Sequence, residues 1–223
     1  KDNCGFGLMA HMQGEASHQV LDNAIEALAC MTHRGGIAAD GKTGDGCGLL
    51  FQMPRDFMRA AAKNEMNVDL TDTFAVGMVF LSKDAAAADN ARTVMNRELE
   101  AQGLTVAGWR VVPTDDSCLG PIAKETLPQI EQVLINVSNM DAKALEVALF
   151  VARRKVEIAL SDDSDFYICT LSERVISYKG LMMPVDLPVF YKDLADPELK
   201  TAVCTYHQRF STNTAPRWPL AQP

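Results

Sequence analysis

The chain has 223 residues, of which 48% are hydrophobic and 22% charged, which is the composition of a folded globular protein. Its net charge of −8 argues against nucleic acid as a partner, because affinity for phosphate backbones depends on clustered Lys and Arg. No apolar run reaches the roughly 18–20 residues of a membrane-spanning helix, so we expect no membrane partner. With no export signal and no CxxC pair among six cysteines, the sequence predicts a cytoplasmic protein without a bound metal.

Hydrophobic spacing and turn residues predict the following elements in chain order. Residues 4–12 are apolar and rich in glycine, which predicts a buried strand. Apolar residues at helical spacing then predict a helix that is capped by Ser17 and ended by Gly35-Gly36. Four glycines in residues 40–48 predict an irregular loop. The further predicted strands are 47–52, 74–81, 106–112, 132–137, 166–171, 175–178 and 202–210, and the further helices are 54–64, 85–102, 141–160 and 188–194.

The order of these elements predicts the fold class. Strands and helices mix without strict β-α-β alternation, which is typical of an α+β protein with antiparallel sheets. The strands at 166–171 and 175–178 are expected to form a hairpin around residues 172–174. Because no repeat or linker interrupts the pattern, we expect one domain.

Cys4 is the first candidate for chemistry. Gly5 and Gly7 follow it, so the backbone there can pass close to a ligand or another strand. If residues 1–3 were removed, the Cys4 thiol would lie beside its own α-amino group, whose usual pKa of about 7.7–8.0 suits a base at neutral pH. While Asn3 is attached, that nitrogen is an amide and cannot accept the proton. The alternative interpretation is a buried core cysteine.

Three other segments carry polar residues of functional type. Residues 32–36 (THRGG) close the first predicted helix, where Arg34 could simply bind helix carbonyls. The glycine loop lacks the GxxxxGK[ST] pattern of a phosphate loop, so a tight turn near the nucleophile is expected, with Cys47 as its thiol of interest. Arg209 stands in residues 207–213 (HQRFSTN), and its planar guanidinium suits a carboxylate ligand. A surface arginine at a strand end is the alternative.

Five motifs together resemble one protein family. They are CGFG at 4–7, HRG at 33–35, TGDGCG at 43–48, HQRFSTN at 207–213 and PRWP at 216–219. In this order they look like the N-terminal glutaminase domain of the large (alpha) subunit of glutamate synthase, a class II glutamine amidotransferase of the N-terminal nucleophile type. The resemblance implies a four-layer αββα sandwich within the α+β class, truncated at its C-terminus. It also implies that residues 1–3 are the remnant of a leader and that 4–223 are the incomplete amidotransferase domain.

The resemblance implies a reaction and a set of site residues. L-Glutamine would be hydrolysed to L-glutamate and ammonia through a thioester on Cys4, and the ammonia would be channelled to 2-oxoglutarate for glutamate biosynthesis. Arg209 would hold the α-carboxylate of the substrate. The other residues that the resemblance assigns to the substrate are Phe210, Ser211, Thr212, Arg34 and Gly35.

The resemblance also implies cofactors and partners. No cofactor is expected in this chain, but FMN and a 3Fe-4S cluster would lie in the remaining domains of the large subunit, with a small NADPH-oxidising subunit as partner. The oxyanion-hole Asn-Gly of the family and its acidic ligand for the substrate amine would lie beyond Pro223. Because residues 1–3 are also still attached, we expect little or no glutaminase activity from this chain. A truncated, non-catalytic interaction module and another N-terminal nucleophile amidohydrolase are the alternative functions.

Overall fold

The computed structural model describes residues 4–210 and 214–223. Their backbone contacts form two compact units, each with a four-stranded sheet. Unit 1 consists of the described parts of Lys1–Phe57, Pro113–Leu127 and Ser177–Pro223, and unit 2 consists of Met58–Val112 and Pro128–Ile176. That residues 4–223 form a single amidotransferase domain after a leader remnant stays a prediction.

The helices and strands have the following bounds. The helices are α1 His18–Cys30, α2 Arg55–Met66, α3 Ala85–Glu100, α4 Pro121–Glu125, α5 Ala142–Ala159 and α6 Leu187–Phe190. The strands are β1 Gly5–Ala10, β2 Cys47–Gln52, β3 Phe74–Leu81, β4 Thr105–Val111, β5 Gln129–Asn136, β6 Tyr167–Ser172, β7 Val175–Gly180 and β8 Val203–Gln208. None of the helices in the described part of the chain is long and apolar enough to cross a membrane.

The sheet of unit 1 has the strand order β1-β8-β2-β7. Strands β1 and β2 both pair antiparallel with β8, so Gly5 and Cys47 lie on either side of Gln208. Helix α1 packs on β1 and β8. It does so through apolar residues three or four positions apart, which share one face of a helix: Val20, Leu21, Ala24 and Leu28.

Helix α1 ends earlier than the sequence predicts. Its last residue is Cys30, and Thr32–Arg34 form a separate 3-10 turn before Gly35. The backbone N–H of Arg34 donates to the Met31 carbonyl at 2.7 Å, so the chain tightens to three residues per turn. The predicted end at Gly35-Gly36 was wrong because the tighter turn places Arg34 and Gly35 outside the α-helix.

The sheet of unit 2 has the order β4-β5-β3-β6, and all three of its strand pairs are antiparallel. Every residue of β3 is buried, as its continuous apolar sequence predicts. Helices α3 and α5 pack together, and their buried residues join those of β3 and β5 in one hydrophobic core. Asp84 and Asp141 cap these two helices, each by accepting a backbone N–H at 2.8 Å.

The predicted fold class is confirmed, but the predicted hairpin was wrong. Two antiparallel sheets with packed helices make an α+β protein, and these are the elements from which a four-layer αββα sandwich is built. Strand β6 pairs with β3 in the sheet of unit 2, whereas β7 lies next to β2 in the sheet of unit 1. Alternating apolar residues identify a strand but not its partner, so the short polar turn between β6 and β7 was misleading.

Candidate active site

Cys4 lies at one end of the sheet of unit 1 and is exposed. The residue after it, Gly5, is paired with Gln208, so Cys4 and Arg209 each stand one residue beyond the last pair of β1 and β8. The register therefore brings these two predicted site residues to one end of the sheet, although they are about two hundred residues apart in the sequence.

The 3-10 turn lies against the residue that follows Cys4. A Cβ atom built on Gly5 would be 2.7 Å from Met31 Sδ and 3.4 Å from Arg34 Cγ, so a side chain has no room there. Arg34 therefore stands beside the end of β1 where the predicted nucleophile begins. Its role as a residue that lines the substrate site remains a prediction.

Gly35 fits closely over two polar side chains. A Cβ atom at this position would overlap Gln208 Nε2 and would be 2.7 Å from Asp45 Oδ1. The absence of a side chain at Gly35 thus allows the loop before β2 and the end of β8 to meet beneath the 3-10 turn. Three predicted motifs, at 33–35, 43–48 and 207–213, come together here through their described residues.

Arg209 is held by two consecutive residues of the glycine loop. Its backbone N–H donates to the Gly46 carbonyl at 2.8 Å, and its Nε donates to Asp45 Oδ2 at 3.2 Å. The side chains of Arg209 and Asp45 are 21% and 10% exposed, so this ion pair is largely buried. Arg209 also has a φ of 110°, a value that non-glycine residues adopt at a cost of about 1–3 kcal/mol and often at functional sites.

The glycine loop is fixed at its other end by Asp40. Its carboxylate accepts hydrogen bonds from the backbone and hydroxyl of Thr43, and from the backbone N–H groups of Lys42 and Ile122. The hydroxyl bond from Thr43, followed by its backbone bond, holds the pKa of Asp40 well below its usual range. The loop that carries Asp45 is therefore anchored to the start of α4.

Several polar atoms in the cluster are buried and lack partners. Asp45 Oδ1 and both polar side-chain atoms of Gln208 have no hydrogen-bond partner in the part of the chain that the structure describes. Gln208 is fully buried. Sequence reasoning missed both residues, because their importance depends on the pairing of β8 with β1 and β2. The one indication of their importance in the sequence is that Asp45 and Gln208 lie within the motifs at 43–48 and 207–213.

Cys47 is a poorer candidate for the nucleophile than Cys4. Its side chain is fully buried, and burial, followed by the charges of Asp186 and Asp45, raises the pKa of its thiol far above the usual range. A thiol that stays protonated is a poor nucleophile. Cys47 does lie beside Gln208, as expected from the glycine loop, but Cys4 is the accessible thiol at this end of the sheet.

The remaining predicted site residues follow Arg209. The guanidinium of Arg209 lies 5.4 Å from the ring centroid of Phe210, and Phe210 forms an isolated bridge with Ala221. Ser211 and Thr212 lie outside the described residues. Within the described ranges, no three His, Cys, Asp or Glu residues are grouped in a way that could hold a metal ion.

Comparison with known proteins gives consistent matches over the whole chain. The family model described as "Glutamine amidotransferases class-II" matches residues 4–223. The chain is 41% identical over 226 residues to the chloroplastic ferredoxin-dependent glutamate synthase of Oryza sativa subsp. japonica, covering 99% of this chain and 14% of that protein. It is 40% identical over 226 residues to the glutamate synthase (NADPH) large chain of Azospirillum brasilense, covering 100% of this chain and 15% of the relative.

A further relative is ferredoxin-dependent glutamate synthase 2 of Synechocystis sp. (strain ATCC 27184 / PCC 6803 / Kazusa), which is 40% identical over 226 residues, covering 100% of this chain and 14% of the relative. The chain therefore spans 14–15% of the length of these relatives. The resemblance predicted from the five motifs is confirmed by these matches.

Proposed function

The chain belongs to the class II glutamine amidotransferases, and we propose that, as part of the full-length protein that starts at Cys4, it hydrolyses the side-chain amide of L-glutamine with Cys4 as the nucleophile. The observation that carries this proposal is the register of β1 and β8. It sets the exposed Cys4 and the Asp45-bound Arg209 at one end of a single sheet. Arg34 and Gly35 pack onto the same end.

The chemistry requires a free α-amine on Cys4. That amine accepts the thiol proton, directly or through a water, and the sulfur attacks the amide carbon of glutamine. The carbon–nitrogen bond then breaks, the nitrogen takes up the proton and leaves as ammonia, and a γ-glutamyl thioester remains on Cys4. Water adds to the thioester carbon, the carbon–sulfur bond breaks, and glutamate and the thiol are released.

Arg209 is proposed to bind the α-carboxylate of the substrate. A guanidinium matches the geometry of a carboxylate, and a partly buried site strengthens the attraction between them. Phe210, whose ring lies beside this guanidinium, would border the same site together with Arg34 and Gly35. The resemblance also assigns Ser211 and Thr212 to the substrate.

The proposal for the whole protein is a glutamate synthase, in which ammonia from this domain reacts with 2-oxoglutarate to form glutamate. FMN and a 3Fe-4S cluster would supply the reductive chemistry. We place both groups in the remaining domains of the large subunit and derive no step through them. The relatives named as ferredoxin-dependent and the one named for NADPH are similarly close.

An NADPH-oxidising small subunit is the proposed electron partner, and the cytoplasm is the proposed location. Glutamate formation in the full-length protein should then depend on NADPH in the presence of that subunit, and ferredoxin should not replace it. In the described part of the chain the six cysteines are thiols and not disulfides, in keeping with a reducing compartment. Some relatives are named as chloroplastic, so fractionation of the source cells is the test of location.

The decisive experiment replaces the nucleophile in the full-length protein that starts at Cys4. Cys4→Ala should abolish glutamine-dependent glutamate formation and retain the ammonia-dependent reaction, because ammonia bypasses only the amide hydrolysis. Cys30→Ala, which changes another exposed thiol, is the matched control and should retain both reactions. Equal loss of both reactions in Cys4→Ala, or retained use of glutamine, would contradict the proposal.

A further inference from the structure

We propose that Asp45 is a positioning residue that fixes the guanidinium of Arg209 in the orientation that accepts the α-carboxylate of glutamine. This inference rests on the proposed function and adds a specificity-determining residue to it. Asp45 would not touch the substrate itself. It would act through Arg209, and its effect would therefore be confined to substrates that carry an α-carboxylate.

The first support is the clamp that two adjacent residues form on Arg209. The Gly46 carbonyl holds its backbone at 2.8 Å, and Asp45 Oδ2 holds its Nε at 3.2 Å. Because Nε is the guanidinium nitrogen nearest to the backbone, a contact there fixes the plane of the group and the direction of its outer nitrogens. Backbone and side chain of Arg209 are thus tied to one short piece of chain.

The second support is the unusual backbone of Arg209 at the end of β8. Its φ of 110° redirects the chain where the strand stops, and its carbonyl accepts the backbone N–H of Gln222 at 3.1 Å. A strained residue persists only where its surroundings fix it from several sides. The clamp from the glycine loop and the hydrogen bond from Gln222 provide such support. The surrounding residues therefore fix the orientation of Arg209.

The third support is the set of unpartnered polar atoms next to the clamp. Asp45 Oδ1 and both polar atoms of Gln208 are buried without a hydrogen-bond partner among the described residues. Each such atom costs on the order of 1–3 kcal/mol, so stability alone does not favour a carboxylate here. In the described part of the chain, Arg209 is the partner of the single ion pair that Asp45 makes.

The test compares two substrates in full-length protein that starts at Cys4. Loss of uniform substrate binding raises KM without lowering kcat, so Asp45→Ala should raise the KM for glutamine about tenfold while kcat changes less than about threefold. Asp45→Asn keeps an oxygen that can accept from Nε, so its effect should be smaller. For 4-aminobutanamide, which is glutamine without its α-carboxylate, kcat/KM should be the same in all three proteins.

A double-mutant comparison links the effect to Arg209. In an Arg209→Lys background, Asp45→Ala should add less than about twofold to the KM for glutamine, because both changes remove the same interaction. Asp22→Asn on α1, where the side chain is 47% exposed, is the matched control and should leave both substrates unaffected. Thermal unfolding confirms that each variant is folded, and Asp45→Asn replaces Asp45→Ala if the latter is not.

The outcomes separate the inference from the proposed function. If the Asp45 variants impair both substrates equally, Asp45 has a structural role and the inference is wrong. If Arg209→Lys raises the KM for glutamine but the Asp45 variants do not, the inference fails and the proposed role of Arg209 stands. If Arg209→Lys affects the two substrates equally, the carboxylate role of Arg209 itself fails.

Discussion

The nitrogen of Cys4 determines whether this residue can serve as its own base. In the printed sequence it is bonded to Asn3 as an amide, which cannot accept a proton. Full-length protein that starts at Cys4 should therefore release ammonia from glutamine faster than full-length protein that keeps residues 1–3, by about 10²-fold or more if the amine acts as general base. An ammonia assay of both proteins measures this.

The control for the Cys4 comparison is full-length protein without residues 1–3 that carries Cys4→Ala. It should release no ammonia above background, which attributes the activity to the thiol. Equal turnover by the full-length proteins with and without residues 1–3 would show that the free amine is not the base.

Gly35 is the residue whose lack of a side chain matters most for the cluster. Gly35→Ala should destabilise the protein by about 1–3 kcal/mol and raise the KM for glutamine, because the new methyl group displaces Gln208 and Asp45. Gly36→Ala is the matched control, since its Cβ would be at an ordinary 3.5 Å from Asp45 Oδ2. Denaturant unfolding and glutamine kinetics measure both variants, and equal effects would contradict a special role for Gly35.

Residue chemistry alone identified Cys4 and Arg209 as candidates, because a thiol followed closely by glycines and a planar cation have recognisable uses. It did not identify the contact between Arg209 and Asp45. These two residues are 164 positions apart, and they meet because β8 pairs with β2 in one register. Local sequence contains no information on that register, so the positioning role of Asp45 could be inferred only from the structure.

At the level of single elements, the caps of α5 and α1 offer a direct comparison. Asp141 accepts the N–H of Ala144 at 2.8 Å, whereas Ser17 stands at the N-cap of α1 without a side-chain bond. Asp141→Ala should lower the free energy of unfolding by about 1 kcal/mol, and Ser17→Ala should change it by a few tenths at most. Denaturant titration measures both variants. A larger loss of unfolding free energy in Ser17→Ala than in Asp141→Ala would contradict the assignment of Asp141 as the stronger cap.

The elements that the sequence predicted well are those with strong local signals. Strand β3 has eight consecutive apolar residues, and α5 has a cap and a long amphipathic pattern. The pairing of β6 and β7 was predicted wrongly because each strand finds a partner that is distant in the sequence. Helix α1 was predicted too long because the glycines at 35 and 36 follow a separate turn.

At the scale of the whole chain, the sheet of unit 1 joins the beginning of the sequence to its end. Strand β8 lies between β1 and β2, so the candidate site exists only when residues near both ends have paired. Pairing of such distant segments is slow, since a long loop must close before the contacts form. Loss of this sheet and loss of the site are therefore expected to coincide.

His207 on β8 gives this sheet a predicted pH dependence. Burial lowers the pKa of His207 below its ordinary value of 6.5, because it outweighs a backbone hydrogen bond at Arg209 that acts in the opposite direction, and the charge of Arg209 lowers the pKa further. Between the folded and ordinary values, the unfolded chain binds more protons than the folded one. The free energy of unfolding should therefore fall as the pH drops below about 6.5, and this contribution should level off below the folded pKa.

The measurement is denaturant unfolding at several pH values from about 7.5 down to 5, with glutamine kinetics as a second readout. His207→Gln should be less sensitive to pH in this range because it removes the titrating ring. Asp40→Asn is the control for this experiment. Because the pKa of Asp40 is lowered, its carboxylate stabilises the fold at pH values above its ordinary pKa of 3.8, and this stability is lost only as the pH falls below that value. In Asp40→Asn, the free energy of unfolding should therefore still fall as the pH drops near 6. If the same fall is found in His207→Gln, a group other than His207 is responsible.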